Sequence, residues 1–192
     1  MNGAPYVNNA GVFLVQTLFG FYIVVIMLRF LLQTVRADFY NPLVQFLVKL
    51  TNPPLVPLRR YIPGLWGLDM ASIVLMLAVQ FVELWLVFYL VERTAHLGGL
   101  LVLSVAELLQ LLINVFFWAV LIQVILSWVN PNPYNPAVVL VRQLTEPVMR
   151  PARRLLPPIS GIDLSPILVL IALQLASLLL VAPLRDMGFG LT

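Results

Sequence analysis

Apolar residues form four long runs along the chain, at about residues 11–32, 70–91, 97–129 and 164–184. The hydrocarbon core of a bilayer is about 30 Å thick, and about 20 helical residues cross it, so each run is long enough. Backbone polar groups must be paired in hydrocarbon, and the runs lack the alternation of barrel strands. The pattern therefore predicts an all-α membrane protein with four transmembrane helices.

The third run is longer than one crossing requires. Its 33 residues would form a helix about 50 Å long at about 1.5 Å per residue. Gly98 and Gly99 favour a bend near its start. The run is therefore either one tilted helix or an interfacial helix followed by a span, and the sequence leaves both open.

Two proline-rich connectors, about residues 33–68 and 129–162, join the first run to the second and the third to the fourth. Each contains an Asn-Pro pair suited to starting a helix. Asparagine at the N-cap accepts a hydrogen bond from a free backbone N–H, and proline needs no donor at the first helical position. The residues concerned are Asn41, Pro42, Asn135 and Pro136.

Each Asn-Pro pair is followed by about two turns of mostly apolar helix. Pro53 and Pro147 are expected to end these helices, because proline lacks a donor and clashes with the preceding turn. Such a piece is too short to span a bilayer. We expect a short amphipathic helix in each connector, lying along the membrane interface with its basic residues toward the headgroups.

The chain is a tandem repeat. Residues 40–86 aligned with residues 134–180, at an offset of 94, share 18 identical pairs among 47, and these include matched proline, arginine and aspartate. Chance similarity between apolar helices does not match such residues. We divide the chain into repeat one, residues 1–96, and repeat two, residues 97–192, each with two spans and one connector.

Composition supports a membrane protein. Hydrophobic residues make up 61% of the chain, charged residues only 10%, and the mean hydropathy is +1.00. Soluble domains carry about 25% charged residues. The first ten residues hold no Lys or Arg, which a secretory signal peptide would need, so we expect the first run to be a retained span.

The distribution of charge predicts the orientation. Each connector carries four basic residues against one acidic residue, a net +3, whereas the opposite loops are balanced. Basic short loops remain cytoplasmic. We therefore expect cytoplasmic connectors, outward-facing termini and two repeats of the same orientation, related by a pseudo-twofold axis along the membrane normal.

The doubled connector motif carries a family resemblance. The pattern YNP…TxP…PxRRxxP…D occurs twice, and ILSW at Ile125–Trp128 leads into the second copy. The chain resembles the YggT family, also called YlmG, small bacterial inner-membrane proteins with plastid relatives. The resemblance implies a plasma-membrane protein linked to osmotic tolerance, to cell division or to cofactor assembly.

Basic side chains of the connectors are the first candidate site. One interpretation is topology: positive charge holds the connectors inside, over anionic lipid headgroups, at about 1 kcal/mol per residue. The other is a docking platform, in which guanidinium groups on rigid proline-flanked turns bind lipid phosphates or acidic segments of other membrane, division or assembly proteins. The residues concerned are Arg59, Arg60, Arg153, Arg154, Lys49, Arg142 and Arg150.

Asp69 and Asp163 stand at the start of the second helix of their repeats. Each is placed to cap free N–H groups at the positive end of the helix dipole. Each is also placed to form an ion pair with an arginine of its own connector. We expect these structural roles rather than catalysis or ion binding.

Several polar residues lie within the predicted spans. Arg29 is near the cytoplasmic end of its helix and is expected to extend its side chain to the headgroups. Amide side chains join helices in lipid, whereas an intramembrane carboxyl marks a cavity, a partner or a proton path unless it is neutral. The residues concerned are Glu83, Gln80, Glu107, Gln110, Asn114 and Gln174.

These residues favour two functions. The first is a non-enzymatic scaffold with an arginine-rich cytoplasmic platform; the second is an ion or proton transport protein that uses Glu83 and Glu107. Four spans enclose little space unless copies form a homo-oligomer. With one histidine, His96, and no cysteine, the sequence predicts no cofactor and no metal site, and we expect neither catalysis nor nucleic-acid binding.

Overall fold

A computed structural model of the chain describes residues 4–65, 67–94, 96–129, 135–156 and 163–192. Its helices are α1 (Ala4–Thr34), α2 (Pro42–Tyr61), α3 (Met70–Leu90), α4 (Leu97–Val129), α5 (Pro136–Leu155), α6 (Ser165–Ala176), a π-helical turn (Ser177–Val181) and α7 (Ala182–Gly190). The repeat residues Tyr134, Pro157 and Gly161 lie outside the described ranges. The described chain is helical, as predicted.

Four helical stretches are long and apolar enough to cross a membrane: Tyr6–Thr34, Met70–Leu90, Leu97–Val129 and Ser165–Gly190. These match the four predicted runs, and the first and last extend beyond them. The third is one continuous helix of 33 residues, without a break after Gly98 and Gly99.

Gly99 serves packing rather than a bend. A Cβ atom on Gly99 would lie 2.5 Å from Thr192 Cγ2 and 3.0 Å from the carbonyl oxygen of Gly188. A Cβ on Gly188 would lie 2.7 Å from the side chain of Leu103. The absence of side chains lets α4 and α7 approach closely at this end of the bundle.

Both connectors lie at one end of the bundle. The Asn41 side chain donates a hydrogen bond of 3.0 Å to the carbonyl oxygen of Pro136, which joins the starts of α2 and α5. At the other end, the Thr94 hydroxyl donates to the carbonyl oxygen of Thr192, at 3.5 Å. We call these the connector end and the terminal end.

The prediction that Pro53 and Pro147 end the connector helices is wrong. Both α2 and α5 run for 20 residues, α2 through Pro53, Pro54 and Pro57 and α5 through Pro147 and Pro151. In α2 the carbonyls deprived of a donor belong to Lys49, Leu50 and Pro53, all exposed, so solvent or headgroups can pair with them.

Buried side chains hold the connector helices against the spans. Thr51 and Leu55 of α2 are fully buried, as are Thr145 and, nearly, Met149 of α5. A core cluster at the connector half joins α1, α2, α3, α4 and α5 through Ile26, Met27, Leu31, Leu32, Val44, Met76, Ala119, Leu140 and Leu144. This burial offsets the backbone bonds that the prolines remove.

The last span contains a π-helical turn that its counterpart α3 lacks. The backbone N–H of Ala182 bonds to the carbonyl oxygen of Ser177, five residues earlier. Pro183 follows directly and has no N–H to continue the regular α-helical pattern. Single π-helical turns of this kind bend a helix and reposition the side chains beyond it.

Candidate functional sites at the two ends of the bundle

An ion pair closes the end of each connector. In repeat one, Arg59 Nη2 lies 2.5 Å from Asp69 Oδ2; in repeat two, Arg153 Nε lies 3.1 Å from Asp163 Oδ2. The two pairs are related by the 94-residue offset. Each joins the last turn of a connector helix to the start of the following span. This is the ion pair expected from the sequence between each aspartate and an arginine of its own connector.

The two aspartates differ in their remaining bonds. Asp69 is the N-cap residue of α3, and its carboxylate accepts a bond of 2.5 Å from the Ser72 hydroxyl. Asp163 accepts a bond of 3.0 Å from the backbone N–H of Ser165, and the Ser165 hydroxyl also donates to it. Asp163, one residue before the N-cap Leu164, therefore accepts one backbone N–H at the start of α6. Asp69 makes no side-chain capping bond to α3 and is held by Arg59 and Ser72.

The environment favours the ionised form of both carboxyls. Burial alone would raise the pKa of Asp69, but hydrogen bonds from Arg59 and Ser72 outweigh it and hold the pKa below its usual value. At Asp163 burial is likewise outweighed, by hydrogen bonds from Ser165 and Arg153, and the pKa is again lowered. Both ion pairs are therefore formed at neutral pH.

The paired arginines have different surroundings. Arg59 and Arg153 are bound to the aspartates, and Arg59 also donates to the Gln33 side chain at 3.1 Å. Their neighbours Arg60 and Arg154 are exposed, and within the described ranges they form no ion pair. Contrary to expectation, all four lie in the last turn of a helix and not on a turn.

The other basic residues of the connectors are also exposed. Lys49 and Arg142 lie on the outer surfaces of α2 and α5. Arg150 pairs with Glu146, one turn before it, at 3.3 Å, and Glu146 also accepts from Arg153 at 3.3 Å. Repeat two thus holds an acidic residue among its arginines that has no counterpart in repeat one, where Asn52 stands.

The Asn-Pro pairs act as the sequence predicts. Asn41 accepts a hydrogen bond of 3.0 Å from the backbone N–H of Leu43, and Asn135 accepts one of 2.9 Å from that of Ala137. Pro42 and Pro136 are the first residues of α2 and α5. The side chain of Asn41 has a second role, since it also links the two repeats.

The prediction that the Arg29 side chain extends to the headgroups is wrong. Arg29 is only 6% exposed, and its Nη1 donates to the Thr51 hydroxyl and, at 3.4 Å, to the carbonyl oxygen of Val48. At the related positions of repeat two, the hydroxyl of Thr145 donates to the side-chain oxygen of Gln123. A buried polar bond therefore attaches each connector helix to the span before it.

Polar residues of the spans meet in a cavity at the terminal end. The cavity has a volume of about 390 Å³ and lies between α1, α3, α4 and α7. Glu83 is 9% exposed, and its Oε2 accepts a bond of 3.1 Å from Gln80. The lining comprises Gln16, Gln80, Glu83, Leu84, Val87, Phe88, Val91, Arg93, Glu107 and Phe189.

Glu107 already has a partner in this structure. Its two carboxylate oxygens accept bonds of 2.8 Å each from Nε and Nη2 of Arg185 on α7. Such a two-point contact between guanidinium and carboxylate is strong and directional. Sequence reasoning missed this pair because Glu107 and Arg185 are 78 residues apart in the chain.

The remaining intramembrane amides divide into bonded and exposed residues. Gln110 donates to Asn114 at 2.9 Å and accepts from the Ser177 hydroxyl at 2.7 Å, which joins α4 to the π-helical turn. Gln174, by contrast, lies exposed on the outside of the bundle. Among the described residues, no group of three or more His, Asp or Glu side chains is placed to hold a metal ion.

Comparison with protein families gives two matches within this one chain. The family model described as CCB3/YggT matches residues 8–90 and again residues 102–184. The chain belongs to the CCB3/YggT family. The two matched stretches are offset by 94 residues, the same offset as the sequence repeat and the paired contacts, so the family unit occurs twice.

Relatives cover most of the chain. An uncharacterised protein of Pseudomonas aeruginosa is 46% identical over 184 residues, which cover 94% of this chain and 92% of the relative. The uncharacterised protein YggT of Escherichia coli K12 is 37% identical over 172 residues, 88% of each chain. No solved structure matches.

A shorter relative matches about one repeat. The uncharacterised protein ycf19 of Guillardia theta is 36% identical over 63 residues, which are 32% of this chain but 69% of that protein. Its whole length is therefore close to that of a single repeat.

Proposed function

We propose that this membrane protein is a non-enzymatic scaffold of the bacterial inner membrane, with the connector end facing the cytoplasm. In this proposal α2 and α5 lie along the inner interface, and the exposed arginines bind anionic headgroups and position partner proteins. The observation that carries it is the division of each arginine pair into one residue bound to aspartate and one residue without an ion pair among the described residues.

The contacts of the connector end support a rigid platform. Arg59 and Arg153 fix the ends of the connector helices, and the bond between Asn41 and Pro136 fixes their starts relative to each other. Guanidinium groups held on a rigid support lose less conformational entropy on binding. Arg60 and Arg154 are the residues left to contact phosphate or carboxylate groups.

The exposed surface of α2 supports its placement at the interface. Leu43, Phe46 and Leu50 are exposed on the same helix as the exposed Lys49. Apolar side chains beside basic ones suit the boundary between acyl chains and headgroups. The net +3 of each connector supports a cytoplasmic location, because basic short loops remain in the cytoplasm.

The orientation has a direct test. Because the chain has no cysteine, a single cysteine can be placed beside Arg60 or beside Arg154 and labelled specifically. We expect both positions to react with a membrane-impermeant maleimide only in inverted vesicles, and a cysteine at Thr94 only in intact spheroplasts. Labelling of the two connector positions from opposite sides would exclude the platform.

The platform itself is tested by substituting alanine for the two kinds of arginine in separate double variants. Arg60→Ala with Arg154→Ala should weaken binding to nanodiscs containing anionic lipid, and reduce crosslinking to partners in native membranes, without lowering stability. Arg59→Ala with Arg153→Ala is the matched control, with the same loss of charge, and should lower stability. Equal losses of binding in both double variants would show that only total charge matters.

Lysine replacements separate shape from charge. Arg60→Lys with Arg154→Lys keeps the charge and removes the planar fork, so binding that depends on two-point contacts should fall, whereas simple attraction to anionic lipid should not. Retained crosslinking to the same partners in the lysine variant would reduce the proposal to an orientation signal.

A second candidate function, ion or proton transport, is favoured by one observation. The cavity at the terminal end brings together Gln16, Gln80, Glu83 and Glu107. The connector half below it is filled by the apolar cluster described above, so transport would require that cluster to open. Purified protein in liposomes that moves no K⁺, Na⁺ or protons would exclude this function.

A further inference from the structure

We propose that the cavity at the terminal end is a binding site for a small organic monocation, an amine or quaternary ammonium compound with an apolar part, and that Glu83 is its counter-ion. The inference is independent of the connector-end platform and requires no passage across the membrane. Three features of the cavity lead to it: Glu83, which has no ion-pair partner among the described residues, the apolar wall and the volume.

The carboxyls of the cavity are not equivalent. Glu107 is neutralised by its two-point contact with Arg185. Glu83 is 91% buried, has no ion-pair partner in the described part of the chain, and accepts one bond, from Gln80 to Oε2. Its other oxygen, Oε1, has no hydrogen-bond partner among the described residues. A cation placed beside such a carboxyl would favour its ionised form and pair with it.

The size of the cavity indicates an organic ligand. A volume of about 390 Å³ is within the range of small-molecule sites and far larger than one metal ion requires. Leu84, Val87, Phe88 and Phe189 form an apolar wall, and Gln16 and Gln80 provide amides. Aromatic rings also attract cations, and Phe88 and Phe189 are part of the lining.

The cavity extends to the terminal end of the bundle. Val91 and Arg93, in the turn after α3, line its outer part, whereas the apolar cluster fills the connector half. Arg93 is exposed, so water and salt screen its charge, and it repels a ligand at Glu83 only weakly. Glu83 is the carboxyl of the lining without an ion-pair partner among the described residues, so it can pair with one positive charge.

Repeat two lacks the corresponding site. Ser177 occupies the position related to Glu83, and its hydroxyl is bound to Gln110, the residue related to Gln16. The π-helical turn begins at this serine. One chain therefore provides one site, which is consistent with specialisation of a single copy of the repeat.

The test uses full-length protein in nanodiscs, with n-butylammonium as probe and 1-pentanol as a neutral molecule of similar size. We expect butylammonium to bind and to raise the thermal unfolding temperature, and 1-pentanol to do neither. Glu83→Gln should weaken butylammonium binding by about tenfold or more. Asp186→Asn, which removes an exposed carboxyl outside the cavity lining, should bind as the unaltered protein does.

Three results would overturn the site: no binding of butylammonium to the unaltered protein, equal binding of 1-pentanol, or equal binding to the Glu83→Gln variant. Because Glu83→Gln could disturb packing, Val87→Trp provides a second test, since the added ring would fill the apolar side and exclude the probe while retaining the carboxyl. Unchanged binding to a folded Val87→Trp variant would place the probe elsewhere and refute the proposal.

Discussion

In repeat one, Arg59 pairs with Asp69, and Thr51 bonds to Arg29. The corresponding contacts of repeat two, 94 residues later, join Arg153 to Asp163 and Thr145 to Gln123. At the terminal end the repeats differ. Glu83 lines a cavity, whereas the hydroxyl of its counterpart Ser177 donates a hydrogen bond to Gln110 of α4. The two copies therefore share the ion pair and the threonine hydrogen bond that attach each connector helix to the spans. A further difference between them lies at the terminal end.

The shared contacts are unequal in burial and charge. The Asp69 side chain is 7% exposed and that of Asp163 is 34% exposed. The residue bound to the buried threonine is a charged arginine in repeat one and a neutral glutamine in repeat two. Buried charged contacts depend more strongly on each partner, so repeat one should be the more sensitive to substitution.

Acid should produce the largest effect, because it removes both ion pairs. A carboxyl whose folded pKa lies below the unfolded value, about 3.9 for aspartate, adds stability above that value and loses it as pH falls through the folded pKa. We expect stability that is flat near neutrality and falls below about pH 4. Unfolding temperature against pH measures this, and Asp69→Asn with Asp163→Asn should reduce the fall.

Replacing one aspartate at a time by asparagine measures the contribution of each ion pair to stability. Asp69→Asn should lower the free energy of unfolding by about 2 kcal/mol, because it removes a buried, charge-assisted contact. Asp163→Asn should cost less than about 1 kcal/mol, because its pair is partly exposed. Reversible unfolding in mixed micelles gives both values. Equal losses would contradict the difference in burial.

Substituting the two buried threonines compares a hydrogen bond to a charged side chain with one to a neutral side chain. Thr51→Val should cost about 1.5 kcal/mol, because the Arg29 guanidinium loses a side-chain acceptor in an environment that excludes water. Thr145→Val should cost about 1 kcal/mol, because Gln123 is neutral. The same unfolding measurement tests the order, and a larger loss at Thr145 would reverse the interpretation.

The smallest effect is expected at the terminal end of repeat two. Ser177→Ala removes one interhelical hydrogen bond to Gln110 and should cost about 0.6 kcal/mol. Leu178→Ala, at an exposed neighbouring position, is a control for the change in side-chain size. A loss several times larger at Ser177 would mean that the hydroxyl also maintains the π-helical turn.

Sequence reasoning succeeded where a local pattern sets the structure. The four spans follow from apolar length, the N-caps at Asn41 and Asn135 from the Asn-Pro pairs, and the two family units from the 94-residue offset. It failed where tertiary contacts compete with a local rule. Proline was expected to end α2 and α5, but packing of buried side chains carries both helices through their prolines.

Contacts between residues distant in the sequence were also not predicted. Arg29 was expected to reach the headgroups, but Thr51, 22 residues away, binds it inside the bundle. Glu107 and Arg185 are 78 residues apart, and only the packing of α4 on α7 brings them together. The offset could have indicated the first contact, since Arg29 with Thr51 and Gln123 with Thr145 are matched positions.

The sequence by itself determined a helical membrane protein built from two copies of one unit, because apolar length and repeated polar motifs are local properties of the chain. Only the tertiary structure decided which arginine of each pair is bound and which intramembrane carboxyl is left unpaired. The physical reason is that an ion pair depends on the distance between atoms, and helix packing sets that distance across long separations in the sequence.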